Sequence, residues 1–131
     1  MLPYGEGLTT GFANPVSDLE LQRMVMKHRR RMVNTMLEFL ILNYLRKGSL
    51  CGYDIIKLLH DKFRVLLSPG QVYPVIDSMT EMGLIHKEQK GRMTLLRLSG
   101  QGEELAKAWR SELDLIQLQL DSIASETLPV F

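Results

Sequence analysis

Three histidines, His28, His60 and His86, and one cysteine, Cys51, are the residues whose side chains could serve as base, metal ligand or nucleophile. Their spacing supports none of these roles. No H-E-x-x-H pair or paired-carboxylate spacing surrounds the histidines, and no glycine-rich loop joins a strand-like run to a helix to cradle a nucleotide phosphate. Cys51 and His60 lie nine positions apart with no third group to orient them, so Cys51 reads as a small buried hydrophobe. A lone cysteine also excludes an internal disulfide framework and cannot by itself build a structural zinc site. An enzyme, a metal site and a bound cofactor are therefore not expected.

The stretch "SPGQVYP", residues 68 to 74, carries a different chemistry. Ser68 suits a helix N-cap, Pro69 the first helical position, and Gln71 completes an S-x-x-Q capping box. Pro74 then breaks the rule for a helix interior, where it removes a backbone donor at a usual cost of about 3 kcal/mol. By helical geometry Gly70, Tyr73, Pro74, Asp77 and Glu81 share the outward face, and Val72, Val75, Ile76, Met79 and Met82 the inward one. A strongly capped helix start with a proline in its second turn is therefore expected at residues 68 to 74.

The elements that must position this start are legible from periodicity. Residues 1 to 16 hold Gly and Pro turns without an apolar period and read as a loose arm. Ser17 and Asp18 offer an N-cap to a helix running to Lys47, with a break or bend near Asn34. Met36, Leu37, Leu40, Ile41, Tyr44 and Leu45 form its apolar stripe, which Gly48 ends. "GYDIIKLLHDKF" predicts a second helix with Tyr53, Ile56, Leu59 and Phe63 on one side, and residues 69 to 82 a third, stopped by Gly83. "LIHKEQ" and "MTLLRL", separated by "KGR", read as a β-hairpin over residues 84 to 98. A last helix begins near Gln101, with a heptad seam of Ala106, Trp109, Leu113, Ile116, Leu120 and Ile123 that implies a helical partner.

Composition narrows the class. At 131 residues and 45% apolar content the chain fits one globular domain with appendages, and its longest apolar run, Phe39 to Leu42, is far too short to span a bilayer. The first twenty residues lack the basic start and apolar run of a secretion signal, so a cytoplasmic protein with no membrane partner is expected. The net charge of +1 conceals a division. Residues 1 to 99 carry 14 Lys+Arg against 9 Asp+Glu, while residues 100 to 131 carry 2 against 6. A basic body suits a polyanion and an acidic tail helix suits an interaction element, although a solvated helix face explains the tail equally well.

Helix, helix, capped helix and hairpin is the order of a winged helix-turn-helix. The segments "MLEFLILNYLRKGSLCGYDIIKLL", "SPGQVYPVIDSMTEMGLI" and "KGRMTLLRLSGQGEEL" resemble the PadR-like family of transcriptional regulators. The likeness rests on Gly48, Gly52 and Tyr53 in the connection, on Ser68, Pro69, Gly70, Tyr73 and Pro74 at the capped helix, and on the hinge "EMGLI"; it spans roughly residues 36 to 110. It implies a mainly α fold with a small β-hairpin, a winged helix-turn-helix plus a C-terminal dimerisation helix. The expected divisions are an arm and basic helix over residues 1 to 33, a DNA-binding domain over 34 to 99 and a dimerisation helix over 100 to 131.

It further implies a homodimeric repressor of transcription that places a recognition helix in the major groove of double-stranded DNA and its wing on the backbone or minor groove. Ser68, Pro69, Gly70, Gln71, Tyr73 and Pro74 are the expected DNA contacts, with cations from Lys62, Arg64, Lys87, Lys90 and Arg92. The run Lys27-His28-Arg29-Arg30-Arg31 has two readings, a DNA contact or a solvated face. Trp109, Leu113, Ile116, Leu120 and Ile123 would pair the protomers. Trp109 has two readings as well, a core anchor or a platform for a flat aromatic effector such as some PadR-like regulators bind at the dimer centre. The chain departs from the family in one respect: no Lys or Arg stands between positions 68 and 83, where Asp77 and Glu81 face outward. Acidic groups repel phosphate, so a protein-binding winged helix with little DNA affinity is the competing expectation.

Overall fold

The computed structural model describes residues 16 to 129, and the expected arm over residues 1 to 16 falls almost wholly outside them. Helix α1 (Asp18–Thr35) forms one unit, and everything from Met36 onward forms another. The start of α1 is the predicted one. The Ser17 hydroxyl accepts from the Glu20 amide at 3.2 Å while the Ser17 amide donates to the Glu20 carboxylate at 3.4 Å, a reciprocal cap. The stretch expected to be helical from residue 18 to 47, with a break or bend near Asn34, forms two helices. It breaks at Met36, just past Thr35, whose hydroxyl donates back to the Arg31 carbonyl at 2.8 Å and so favours bending.

The second unit begins with α2 (Leu37–Leu45), which buries Leu37, Phe39, Ile41, Leu42 and Leu45. This is broader than a stripe, because this helix packs against three elements that follow later in the chain, Pro69–Glu81, Met93–Leu98 and Gly100–Ser125. Helix α3 (Gly52–Phe63) turns Gly52, Ile55, Ile56 and Leu59 inward. Tyr53, expected on that inner face, is 63% exposed, and Ile55 takes its place. The 3.6-residue period left both faces open to an apolar residue, and the packing selected the β-branched one. Helix α4 (Pro69–Glu81) buries Val72, Ile76 and Met79 as expected, while Val75 is half-buried and Met82, past its end, is exposed. Gly83 adopts φ +76°, the left-handed position that ends such a helix.

Strands β1 (Ile85–Lys90) and β2 (Met93–Leu98) pair antiparallel from Ile85–Leu98 to Lys90–Met93, joined by Gly91 and Arg92. Gly91 at φ +61° is followed by a residue without positive φ, the pattern of a two-residue type II′ hairpin. Leu50 adds a bridge that periodicity does not show: it exchanges backbone hydrogen bonds with Leu96 at 3.2 and 2.7 Å, tying the α2–α3 connection to the wing.

Helix α5 (Gly100–Ser125) is capped by Ser99, whose hydroxyl accepts from the Gly102 amide at 3.0 Å and donates to the Gly83 carbonyl at 2.6 Å. One buried hydroxyl thereby fastens the end of α4 to the start of α5. Arg46, at the end of α2, ties that helix to α5 by donating to both carboxylate oxygens of Glu103, at 3.1 and 3.3 Å. Only the first turns of α5 pack on this core. Ala106 is fully buried, Trp109 and Leu113 are half-buried, and Ile116, Leu120 and Ile123 are exposed.

Candidate nucleic-acid interface

The amino end of α4 is built by local chemistry. Pro69 sets the first helical turn, and the Ser68 amide and hydroxyl both donate to the Gln71 side-chain oxygen, at 2.9 and 3.2 Å. Ser68, Pro69, Gly70, Gln71, Tyr73 and Pro74 are all exposed there. Gly70 is not required by the fold: its φ is not positive, and a Cβ built on it would meet only the Ser68 hydroxyl, at 3.8 Å. By contrast Gly52, at the start of α3, cannot carry a side chain without moving a neighbour. A Cβ there would lie 2.7 Å from the Tyr73 ring. The Tyr73 phenol therefore rests on the α3 backbone, where sequence reasoning saw only an outward aromatic, and the glycine of the "CGY" connection is the signal that records it.

Tyr73 forms one wall of a cleft of about 360 Å³ between α4 and the wing, with Gly52, Lys87, Arg92, Met93 and Thr94 among the other lining residues. Two of the expected cations, Lys87 and Arg92, thus come together beside the helix start, and Lys90 is exposed at the end of β1 next to the turn. Lys87 does not stand alone. Its ammonium donates to the Asp77 carboxylate at 2.5 Å, so a charge of the wing is already engaged by α4. That pair bears on the departure noted in the sequence, since it offsets one of the two outward carboxylates.

Lys62 and Arg64 lie apart from the cleft. Lys62 lines a hollow of about 810 Å³ with Tyr44, Lys47, Leu58 and Asp61. Burial, then the Asp61 charge, pushes the Tyr44 phenol above its ordinary value. Arg64 closes α3 in the left-handed conformation, φ +57°, its amide donating to the His60 carbonyl at 2.8 Å. Cys51 caps the start of α3: its thiol donates to Asp54 at 3.0 Å and its amide at 3.3 Å, and these two bonds, the thiol's first, hold the Asp54 carboxyl below its usual range. That is more than the inert hydrophobe expected of Cys51, which is only half-buried. Trp109 meets Phe39 of its own chain, ring centroids 5.3 Å apart and planes tilted by 56°, so it anchors α5 to α2. Among the described residues no three His, Cys, Asp or Glu side chains are grouped to hold a metal, and no helix is long and apolar enough to cross a membrane.

Solved structures share this arrangement. A transcriptional regulator from Clostridium thermocellum superposes with a TM-score of 0.65 at 18% identity, covering 70% of this chain and 96% of its own. A PadR-like transcription factor from Bacteroides fragilis gives 0.62 at 22%, covering 71% and 94%. A PadR family transcriptional regulator from Eggerthella lenta gives 0.65 at 19%, covering 84% and 96%. At such identities the likeness establishes the winged-helix fold. No curated protein matches the chain by sequence. The Transcriptional regulator PadR-like family matches residues 41–106, half of the chain, from within α2 through the capped helix and wing to the buried start of α5. The capped helix, the wing beside it and that match together make this chain a member of the PadR-like family, whose proteins are DNA-binding transcriptional regulators and not enzymes.

Proposed function

We propose that the chain is a homodimeric repressor that inserts α4 into the major groove and lays its wing along the backbone or minor groove. The observation that carries this reading is Gly70. Neither conformation nor packing requires glycine there, yet it sits at the exposed first turn of α4, where Pro69 has no amide hydrogen and the Gln71 and Val72 amides already donate to the Ser68 carbonyl at 3.0 and 3.2 Å, so the Gly70 amide is the one at the tip. A phosphate approaching end-on would meet that amide only if no side chain intervened. In this reading Ser68, Pro69, Gln71, Tyr73 and Pro74 shape the contact, Arg92 and Lys90 supply wing charge, and Lys62 and Arg64 reach flanking phosphates.

The exposed seam of Ile116, Leu120 and Ile123, continuing from Leu113 and Trp109, pairs α5 with that of a second copy and sets the two α4 helices about 34 Å apart, one turn of DNA. The functional divisions are then those of the sequence: residues 1 to 33 as appendage, 34 to 99 as DNA-binding domain and 100 to 131 as dimerisation helix. Release by a flat aromatic compound seated beside Trp109, where the α5 helices meet, is an added layer of the same reading. The cytoplasm is the proposed site of action.

The test is fluorescence anisotropy with the protein's own upstream DNA. Gly70→Glu adds bulk and negative charge at the contact and weakens binding by about 2–4 kcal/mol, from lost hydrogen bonds and repulsion. Its thermal unfolding stays that of the wild type, because the site has room for a Cβ. Equal binding by the two proteins refutes the recognition-helix reading. Binding by neither, at moderate salt, favours a protein-interaction module.

A further inference from the structure

We infer that Asp77 is the base-reading residue of α4 and that it selects a cytosine, with Lys87 of the wing positioning its carboxylate. The inference rests on the DNA-binding reading above and names the chemistry of recognition within it.

Asp77 lies seven positions after Gly70 and three after Pro74, on the exposed face of α4 opposite buried Val72, Ile76 and Met79. At about 1.5 Å of rise per residue it stands about 12 Å along the axis from Pro69, two turns beyond the end that meets phosphate. In the DNA-binding reading the helix lies along the groove, and an outward side chain two turns past the phosphate-contacting start faces the base edges. What that helix can read is limited by its composition. Residues 68 to 83 contain no Lys or Arg, so the bidentate contact to guanine is absent from it. An ionised carboxylate only accepts hydrogen bonds. Guanine presents two acceptors in the major groove and thymine one, which repel it; adenine pairs its amino donor with an acceptor at N7; cytosine presents the amino donor alone. Cytosine is thus the one base edge that Asp77 meets without repulsion.

A carboxylate in the groove still faces the surrounding phosphates, and Lys87 answers that difficulty. Its ammonium sits 2.5 Å from the Asp77 oxygen, with the two side chains 39% and 59% exposed. One carboxylate oxygen is held by the wing, the local charge is offset, and the other oxygen is left to accept from a base. The pair also explains how a wing cation and an acidic recognition helix coexist in one interface.

Selection of duplexes from a randomised pool, followed by sequencing, tests the assignment with wild type, Asp77→Asn, Asp77→Ala and Lys87→Met. Wild type enriches a cytosine at one position of each half-site, favoured about tenfold over the other bases. Asp77→Asn, able to pair with adenine's amino group and N7, replaces that cytosine by adenine and leaves the other positions unchanged. Asp77→Ala loses preference there alone, and Lys87→Met keeps the motif with a weaker cytosine and lower affinity. If Asp77→Asn and Asp77→Ala both select the wild-type motif, with or without a uniform loss of affinity, Asp77 only braces the wing and the inference is wrong. If wild type enriches no motif, the DNA-binding reading fails and this inference fails with it.

Discussion

Gly102→Ala should destabilise the protein although alanine is the better helix former. Gly102 lies in the first turn of α5, where it is buried beneath the α4–wing connection. A Cβ there would sit 2.3 Å from the Leu84 carbonyl oxygen and 2.6 Å from Leu98 Cδ1, about 1 Å inside ordinary contact. The Leu98 methyl can turn aside; the backbone carbonyl cannot. Leu84 O accepts from the Ser99 amide at 3.0 Å, and Ser99 in turn caps α5 through the Gly102 amide, so displacing the carbonyl strains the whole junction. Overpacking of this kind costs about 1–3 kcal/mol, a weakened hydrogen bond adds about 1, and the helix-propensity gain offsets at most about 1. The net expectation is a loss of about 1–3 kcal/mol, read as a urea midpoint lowered by about 0.5–2 M. Gly100→Ala is the control, since nothing lies within 4 Å of its added Cβ. Both variants must be compared at one protein concentration, because the proposed self-association would contribute to apparent stability. Equal midpoints for Gly102→Ala and Gly100→Ala would refute the close-approach argument.

Gly52→Ala forces the Tyr73 ring away from α3, so DNA affinity should fall about tenfold while the urea midpoint drops less than for Gly102→Ala; unchanged affinity in anisotropy would remove Tyr73 from the contact. Leu113→Glu with Leu120→Glu should give a monomer in sedimentation, and a persisting dimer would show that pairing occurs elsewhere. Neutralising Lys90 and Arg92 should lower the salt slope of DNA binding by about 2 without altering sequence preference; an unchanged slope places the wing away from phosphate. Asp54 supplies the pH prediction. Its folded-state pKa is depressed by the Cys51 thiol and amide, so its contribution is present above the unfolded carboxylate value and lost as pH falls through the lower folded one. Cys51→Ala, which removes the thiol bond, should flatten the fall in melting temperature below about pH 4; parallel curves for the two proteins would contradict the assignment.

The order of elements and the motif at the start of α4 were legible in the sequence because both are local. Capping needs only Ser68, Pro69 and Gln71 within one turn, and the hairpin needs a glycine between two alternating runs. A 3.6-residue period likewise places Val72, Ile76 and Met79 on one face without knowledge of what covers them. Tertiary structure decided everything that depends on two segments meeting. Periodicity could not choose between Tyr53 and Ile55 for the inner face of α3, because the choice lies with the shape of α4 and β2 against it. The Leu50–Leu96 bridge, the seat of Tyr73 on Gly52, and the pairing of Lys87 with Asp77 join residues 46, 21 and 10 positions apart, distances over which no sequence period operates. The acidic recognition helix is the clearest case. In the sequence Asp77 is a charge opposed to DNA; in the fold it has a cation beside it, because the hairpin returns the wing to the helix that precedes it.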